Sequence, residues 1–116
     1  MRHLSTYKIF EAVQLFYHVS DVCNRKSIEK YGLDYNKGVS PWTEEDRQLQ
    51  PYPKGNYMWK TIGKARWYAG GLSESMDIWE VKIDGLMDDP ITAGGFYTKA
   101  LIKPEFVRLC ETVNEE

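Results

Sequence analysis

The segment LFYHVSD at residues 15–21, followed by SIEKYGL at residues 27–33, decides the fold of this chain. A short apolar run ends in a histidine and a small polar residue, and Gly32 ends the helix-sized segment that follows. His18 therefore lies where a strand gives way to a helix, a position at which main-chain donors converge on ligands. The pattern indicates a nucleotide-type pocket.

Length, charge and cysteine usage limit what the chain can be. The 116 residues suffice for one domain with a single core. The net charge of −2 and the absence of a Lys/Arg block argue against DNA binding and, more weakly, against RNA binding. The first residues lack the apolar core of a signal peptide, so we expect a cytoplasmic protein without a membrane segment. Cys23 and Cys110 have no metal-site or CxxC spacing, so we expect two reduced, partly buried thiols.

The hydrophobic pattern predicts short elements in the order βαβαβββ, which is typical of an α+β domain with two or three short helices. Residues 1–13 form an N-terminal extension to this single domain. The Pro- and Gly-punctuated residues 34–56 form a long loop of the lid or binding type. The predicted strands cover 14–19, 57–59, 77–84, 96–102 and 106–113, and the predicted helices cover 21–31 and 61–69.

Three segments carry the clearest predictions about the core. Within the predicted strand at 77–84, residues 79–84 alternate between apolar and charged residues, which predicts one buried and one solvent-facing side. The two helices each have apolar residues at helical spacing. The predicted core residues are Trp79, Val81 and Ile83 of the strand, Val22, Ile28 and Tyr31 of the first helix, and Ile62, Ala65 and Tyr68 or Ala69 of the second.

Two side chains are candidates for ligand binding, and each has a structural alternative. His18 is either a core histidine hydrogen-bonded at a strand end or a neutral imidazole that donates to a ribose hydroxyl. Tyr57 begins a strand just before a helix, so its ring either belongs to the core or stacks on a flat ligand ring. Ser20 and the amides after it either contact a phosphate or a carboxamide, or cap the helix. His3 and His18 are the only histidines and neither has a nearby ligand set, so we predict no metal site.

The same segments, taken in order, resemble the ADP-ribosyltransferase-like fold, the group that includes the poly(ADP-ribose) polymerases and the RNA 2′-phosphotransferases. Residues 15–20, 27–28 and 32–33 are similar to its opening, and residues 55–59 with 64–69 are similar to its second motif. Residues 77–86 and 97–105 resemble the later strands of small bacterial and phage members. The likeness spans residues 14–110.

This resemblance implies a small split antiparallel β-sheet with a cleft for NAD. It assigns catalytic roles to His18, which would hold a ribose, and to Tyr57, which would stack on nicotinamide. The residues that it implies for cofactor binding are His18, Val19, Ser20, Ser27, Tyr57, Tyr97 and Thr98.

The chain departs from the family pattern in one respect. Transferases of this group often carry a glutamate on a late strand, whereas residues 94–99, GGFYTK, contain no acid. General-base assistance is commonly worth about 10²–10⁴-fold in rate, so efficient transfer is in question. Two functions remain open. One is an NAD-dependent ADP-ribosyltransferase that transfers ADP-ribose or cleaves NAD. The other is a catalytically degenerate interaction protein, such as a phage factor acting on a host or other cellular protein.

Overall fold

The computed structural model describes residues 14–34, 55–83, 87–88 and 95–114. The predicted N-terminal extension and almost all of the predicted loop at 34–56 lie outside these residues. Within these residues, two α-helices, two 3-10 turns and six strands follow one another. They are β1 (Gln14–Asp21), a turn (Val22–Asn24), α1 (Arg25–Tyr31), β2 (Asn56–Trp59), α2 (Ile62–Gly70), β3 (Met76–Ile83), β4 (Met87–Asp88), β5 (Gly95–Thr98), a turn (Pro104–Phe106) and β6 (Val107–Val113).

The strands form one antiparallel sheet in the order β4-β5-β2-β1-β3-β6, in which β4 is a two-residue edge strand. The predicted α+β class is therefore confirmed. β1 pairs with β3 along its whole length, from Gln14 opposite Ile83 to Asp21 opposite Met76. On its other side β1 is in register with β2 only where Tyr17 lies opposite Trp59. Pairing is thus continuous on the β3 side of β1 but is limited to one registered pair on the β2 side, and we call the place where β1 and β2 stop pairing the opening.

Each face of the sheet carries its own apolar cluster, because successive residues of a strand point to opposite faces. The first face is covered by α1 and by the segments around Leu33 and Ile102. The second face is covered by α2. The first-face cluster contains Phe16, Ile28, Leu33, Met58, Trp79, Val81 and Ile102, and the second-face cluster contains Trp59, Ala65 and Ile78.

A close approach between two chain segments fixes the end of α1. Gly32 has a φ of 80° and a ψ of −160°, a region essentially restricted to glycine. A Cβ at this position would overlap the carbonyl oxygen of Ile102. The adjacent Leu33 exchanges main-chain hydrogen bonds with Ile102, and the buried Asn56 amide donates to the carbonyl oxygens of Leu33 and Ala100 at 3.0 and 3.2 Å. The predicted glycine stop is confirmed, and its reason is this contact.

The predicted boundaries differ from the observed ones where turns replace regular structure. The predicted helix at 21–31 begins as a 3-10 turn, with the Asp21 carboxylate accepting from the Cys23 main-chain N–H at 2.8 Å. α1 itself begins only at Arg25. The predicted strand at 96–102 ends at Thr98. Pro104 begins a second turn, and the last strand follows it.

Half of the ten predicted core residues are buried. Trp79, Val81, Ile28, Ala65 and Ala69 are all buried, whereas Val22, Ile62, Tyr68 and Ile83 are partly buried. Tyr31 is 44% exposed, so its assignment to the core was wrong. It is the last residue of the short α1, beyond the part of that helix that packs on the sheet. Cys23 and Cys110 are free thiols as predicted, but both are exposed rather than partly buried.

Candidate functional site

His18 lies where β1 and β2 stop pairing. Its Nδ1 donates to the main-chain carbonyl oxygen of Tyr57 at 2.7 Å. Phe16 and Met58 belong to the first-face cluster. His18 is two residues after Phe16 in the same strand, so its side chain also points to the first face. The imidazole therefore replaces main-chain pairing at the opening and joins the two strands there.

The hydrogen bond to Tyr57 fixes the chemistry of the imidazole. A carbonyl oxygen only accepts, so Nδ1 carries the proton and Nε2 of the neutral ring is an acceptor. Burial lowers the pKa of His18, while the hydrogen bond to the Tyr57 carbonyl opposes part of that shift. Nε2 has no hydrogen-bond partner among the described residues. The ring can therefore accept a hydrogen bond from a hydroxyl, which is the reverse of the direction predicted from the sequence.

Trp79 lies directly opposite His18 in the neighbouring strand β3. Side chains at directly opposite positions share a face, with Cβ atoms about 4.5–5.5 Å apart. Trp79 is 2% exposed, and its indole Nε1 is buried without a hydrogen-bond partner. Within the part of the chain that the structure describes, it is the one buried side-chain nitrogen or oxygen in that condition. The buried, unpaired N–H thus belongs to the residue opposite the one that carries the free Nε2 acceptor.

A polar network supports the same face beyond His18. Asp77 is fully buried and accepts from Arg25 Nε at 2.8 Å and from Arg25 Nη2 at 2.6 Å. The Thr112 hydroxyl donates to the same carboxylate at 2.7 Å. Ser20, opposite Asp77, accepts from the Asn24 amide at 3.0 Å. These bonds join the start of α1 to β1, β3 and β6, and so fix the wall next to His18.

The Tyr57 ring lies on the other side of the sheet from His18. Met58 belongs to the first-face cluster, so its neighbour Tyr57 points to the second face, as does Trp59. The ring stacks on Tyr97 of β5, with centroids 5.3 Å apart and planes inclined by 25°. His18 and Tyr57 are therefore brought together through the Tyr57 main chain, and their rings are on opposite faces.

The remaining predicted binding residues are divided between the two faces. Val19 packs with the second-face cluster, and Tyr97 stacks there on Tyr57. Ser20 and Thr98 lie on the first face, and each is buried with its hydroxyl oxygen accepting a hydrogen bond, in Thr98 from the Ala100 main-chain N–H at 3.2 Å. Ser27 lies within α1 and is partly buried. His18, Ser20, Ser27 and Thr98 therefore belong to the half of the molecule that contains the opening.

Sequence reasoning missed Trp79 and the Arg25–Asp77–Thr112 network as parts of this site. The alternation in 77–84 predicts that Trp79 is buried, but no sequence pattern reveals that its N–H lacks a partner. Asp77 stands among several acids that sequence spacing does not distinguish. One cue was present: a carboxylate at the apolar start of a strand needs a buried cation.

The described residues contain no group of three or more His, Cys, Asp or Glu side chains that could hold a metal ion. None of the helices in the described ranges has both the length and the apolar character needed to cross a membrane. Comparisons with models of protein families, with curated proteins and with solved structures found no match to this chain. The geometry around His18 and the sequence resemblance are therefore the two indications of function.

Proposed function

We propose that this chain is an NAD-binding domain of the ADP-ribosyltransferase type, with the ligand at the opening between β1 and β2. The observation that carries the proposal is the His18 imidazole, held through Nδ1 by the Tyr57 carbonyl at 2.7 Å. This contact fixes the ring and its tautomer and leaves the Nε2 lone pair as an acceptor. A ribose hydroxyl has the donor that such an atom needs.

Two further features support the proposal. β1 and β2 are neighbours in one sheet but have a single registered pair, Tyr17 opposite Trp59, and the resemblance implies a split of the sheet. Ser20, Ser27 and Thr98, which the resemblance implies as cofactor-binding residues, lie in the same half of the molecule as His18. Tyr57 takes part through its carbonyl group rather than through stacking of its ring.

The reaction of this class is cleavage of the bond between nicotinamide and C1′ of the ribose. Nicotinamide leaves with the bonding electron pair, and C1′ gains positive charge until an acceptor hydroxyl, or water, donates electrons and releases a proton. His18 would orient the sugar by accepting a hydrogen bond from a ribose hydroxyl. Because residues 94–99 hold no carboxylate to receive the acceptor's proton, we expect slow turnover.

The test measures binding and cleavage separately. Calorimetry with NAD gives the affinity, and labelled NAD incubated with the protein and cell lysate gives nicotinamide release. We expect His18→Ala to abolish both signals, because the oriented acceptor is lost, and His3→Ala to retain them. Absence of NAD binding by the wild-type chain, or equal affinity of the wild-type chain and the His18→Ala variant, would contradict the proposal.

A second candidate is an interaction protein that keeps the fold without the chemistry, as for a factor that binds a host or other cellular protein. The missing acid in 94–99 favours it. Affinity capture would then recover one partner in stoichiometric amount. The partner would also remain bound to a His18→Ala/Tyr57→Ala double variant, whereas loss of the partner from this variant would link its binding to the His18 site.

A further inference from the structure

The indole N–H of Trp79 is buried, and no described residue accepts a hydrogen bond from it. A buried polar group without a hydrogen bond destabilises the folded state, and such groups are rare in folded proteins. Trp79 donates only, through Nε1, so the partner must be an acceptor. The residue directly opposite it, His18, does not fill this role, since Nε1 has no partner at all.

His18 presents the complementary requirement at the neighbouring position. Its Nδ1 is engaged by the Tyr57 carbonyl, so Nε2 is an acceptor that a ligand can use, although unlike Trp79 Nε1 it is not a buried atom without a partner. A group that satisfies both residues must donate one hydrogen bond and accept another within a small space. A hydroxyl does so with a single oxygen atom, because its hydrogen points to His18 Nε2 while its lone pair accepts from Trp79 Nε1.

We infer that Trp79 is a second binding residue of the His18 site, and that its indole N–H and His18 Nε2 together hold one sugar hydroxyl of the ligand. This inference rests on the proposed function and adds to it a residue on β3 and a chemical requirement for the ligand. The ligand must carry a hydroxyl that is free to donate as well as accept.

Access to the Trp79 N–H requires a side chain to move, because Trp79 and Met58 are only 2% and 1% exposed. The cluster of Trp79 includes Met58, a residue of β2 at the edge of the opening next to β1. Methionine is unbranched and changes rotamer readily, so a hydroxyl can enter beside His18 when Met58 moves. The Trp79 N–H would then gain a hydrogen bond that it has only when the ligand is bound.

The test follows the indole N–H resonances of the chain's four tryptophans by nitrogen–proton NMR, with Trp79→Phe used to assign the Trp79 signal. NAD, ADP-ribose and nicotinamide are added separately. We expect NAD and ADP-ribose to move the Trp79 resonance downfield and nicotinamide to leave it in place. By calorimetry Trp79→Phe should bind NAD about 3- to 10-fold more weakly, which corresponds to one hydrogen bond. Trp59→Phe, a buried tryptophan of the second face, is the matched control and should keep the affinity.

The outcomes separate this inference from the proposed function. If NAD binds and the Trp79 resonance stays unchanged, the inference is wrong while the proposed function survives. A shift caused by nicotinamide alone would assign the site to a carboxamide and overturn the sugar hydroxyl. If the wild-type chain binds no NAD, both fail. The resonance measurement uses the wild-type chain, so it remains decisive even if Trp79→Phe does not fold.

Discussion

The two faces of the sheet bury similar kinds of side chain but differ in their polar groups. On the second face, Ala65 of α2 packs in one cluster with Ile78 of β3. The ring centroids of Trp59 and Tyr68 are 5.4 Å apart. The first face combines an apolar cluster with a buried carboxylate, an imidazole with one free lone pair and an indole N–H without a partner.

This difference indicates where selection for stability alone does not explain the residues present. Apolar side chains of similar volume would fill the positions of His18 and Trp79 without leaving polar atoms unpaired. The buried cluster of the second face follows that rule, since Trp59, Ala65 and Ile78 pack with apolar and aromatic residues. The first face departs from it at one place, beside the opening of the sheet, and that is where we propose the ligand lies.

The largest expected effect comes from breaking the ion pair of the first face, in which the Asp77 side chain is fully buried and the Arg25 side chain is 40% exposed. Arg25→Ala leaves the Asp77 carboxylate buried, with Thr112 as its remaining side-chain donor. We expect the free energy of unfolding to fall by about 3 kcal/mol, because removing one partner leaves an uncompensated buried charge. Denaturant unfolding monitored by circular dichroism measures it.

The matched control is the ion pair between α2 and β6. Arg66 and Glu111 are 2.6 Å apart, but their side chains are 54% and 31% exposed. Arg66→Ala should therefore cost less than about 1 kcal/mol. Equal losses for the two arginine variants would show that burial does not distinguish the networks, and the comparison between the faces would lose its electrostatic part.

The sequence predicts the parts of this structure that depend on local pattern. The alternation at 77–84 identifies β3, Gly32 marks the end of α1, and the apolar run before His18 identifies β1. Pairing between distant strands is not encoded in any single segment, so the sequence does not predict that Tyr57 stacks on Tyr97. The strand-to-helix position of Tyr57 in the sequence suggests that its ring lies beside His18. In the structure, alternation along β2 directs this ring to the opposite face of the sheet.

A smaller effect is expected from the titration of His18. Its native pKa is lowered by burial, so below about pH 6.5 the unfolded chain binds a proton that the native imidazole does not. The contribution of neutral His18 to the free energy of unfolding is therefore fully present above that pH. It falls as the pH decreases towards the native pKa, by up to about 1.4 kcal/mol per pH unit. We expect His18→Gln to flatten this part of the profile and His3→Gln to retain it, as measured by denaturant unfolding from about pH 7.5 to 5.5. Parallel profiles for the wild-type chain and His18→Gln would contradict the effect of burial on His18.

The smallest expected effect on ligand binding concerns the Tyr57 ring. Tyr57→Leu keeps the carbonyl that holds His18 and removes a ring that stacks on Tyr97 on the second face. We expect stability to fall by about 1 kcal/mol with the loss of the aromatic pair, while the affinity for NAD measured by calorimetry changes less than about twofold. His18→Gln, in contrast, should lose most of the affinity. If Tyr57→Leu loses as much affinity as His18→Gln, the ring contacts the ligand as the resemblance implies. The site then extends through the opening to both faces, because one ligand would have to reach an imidazole and a phenol that alternation directs to opposite sides.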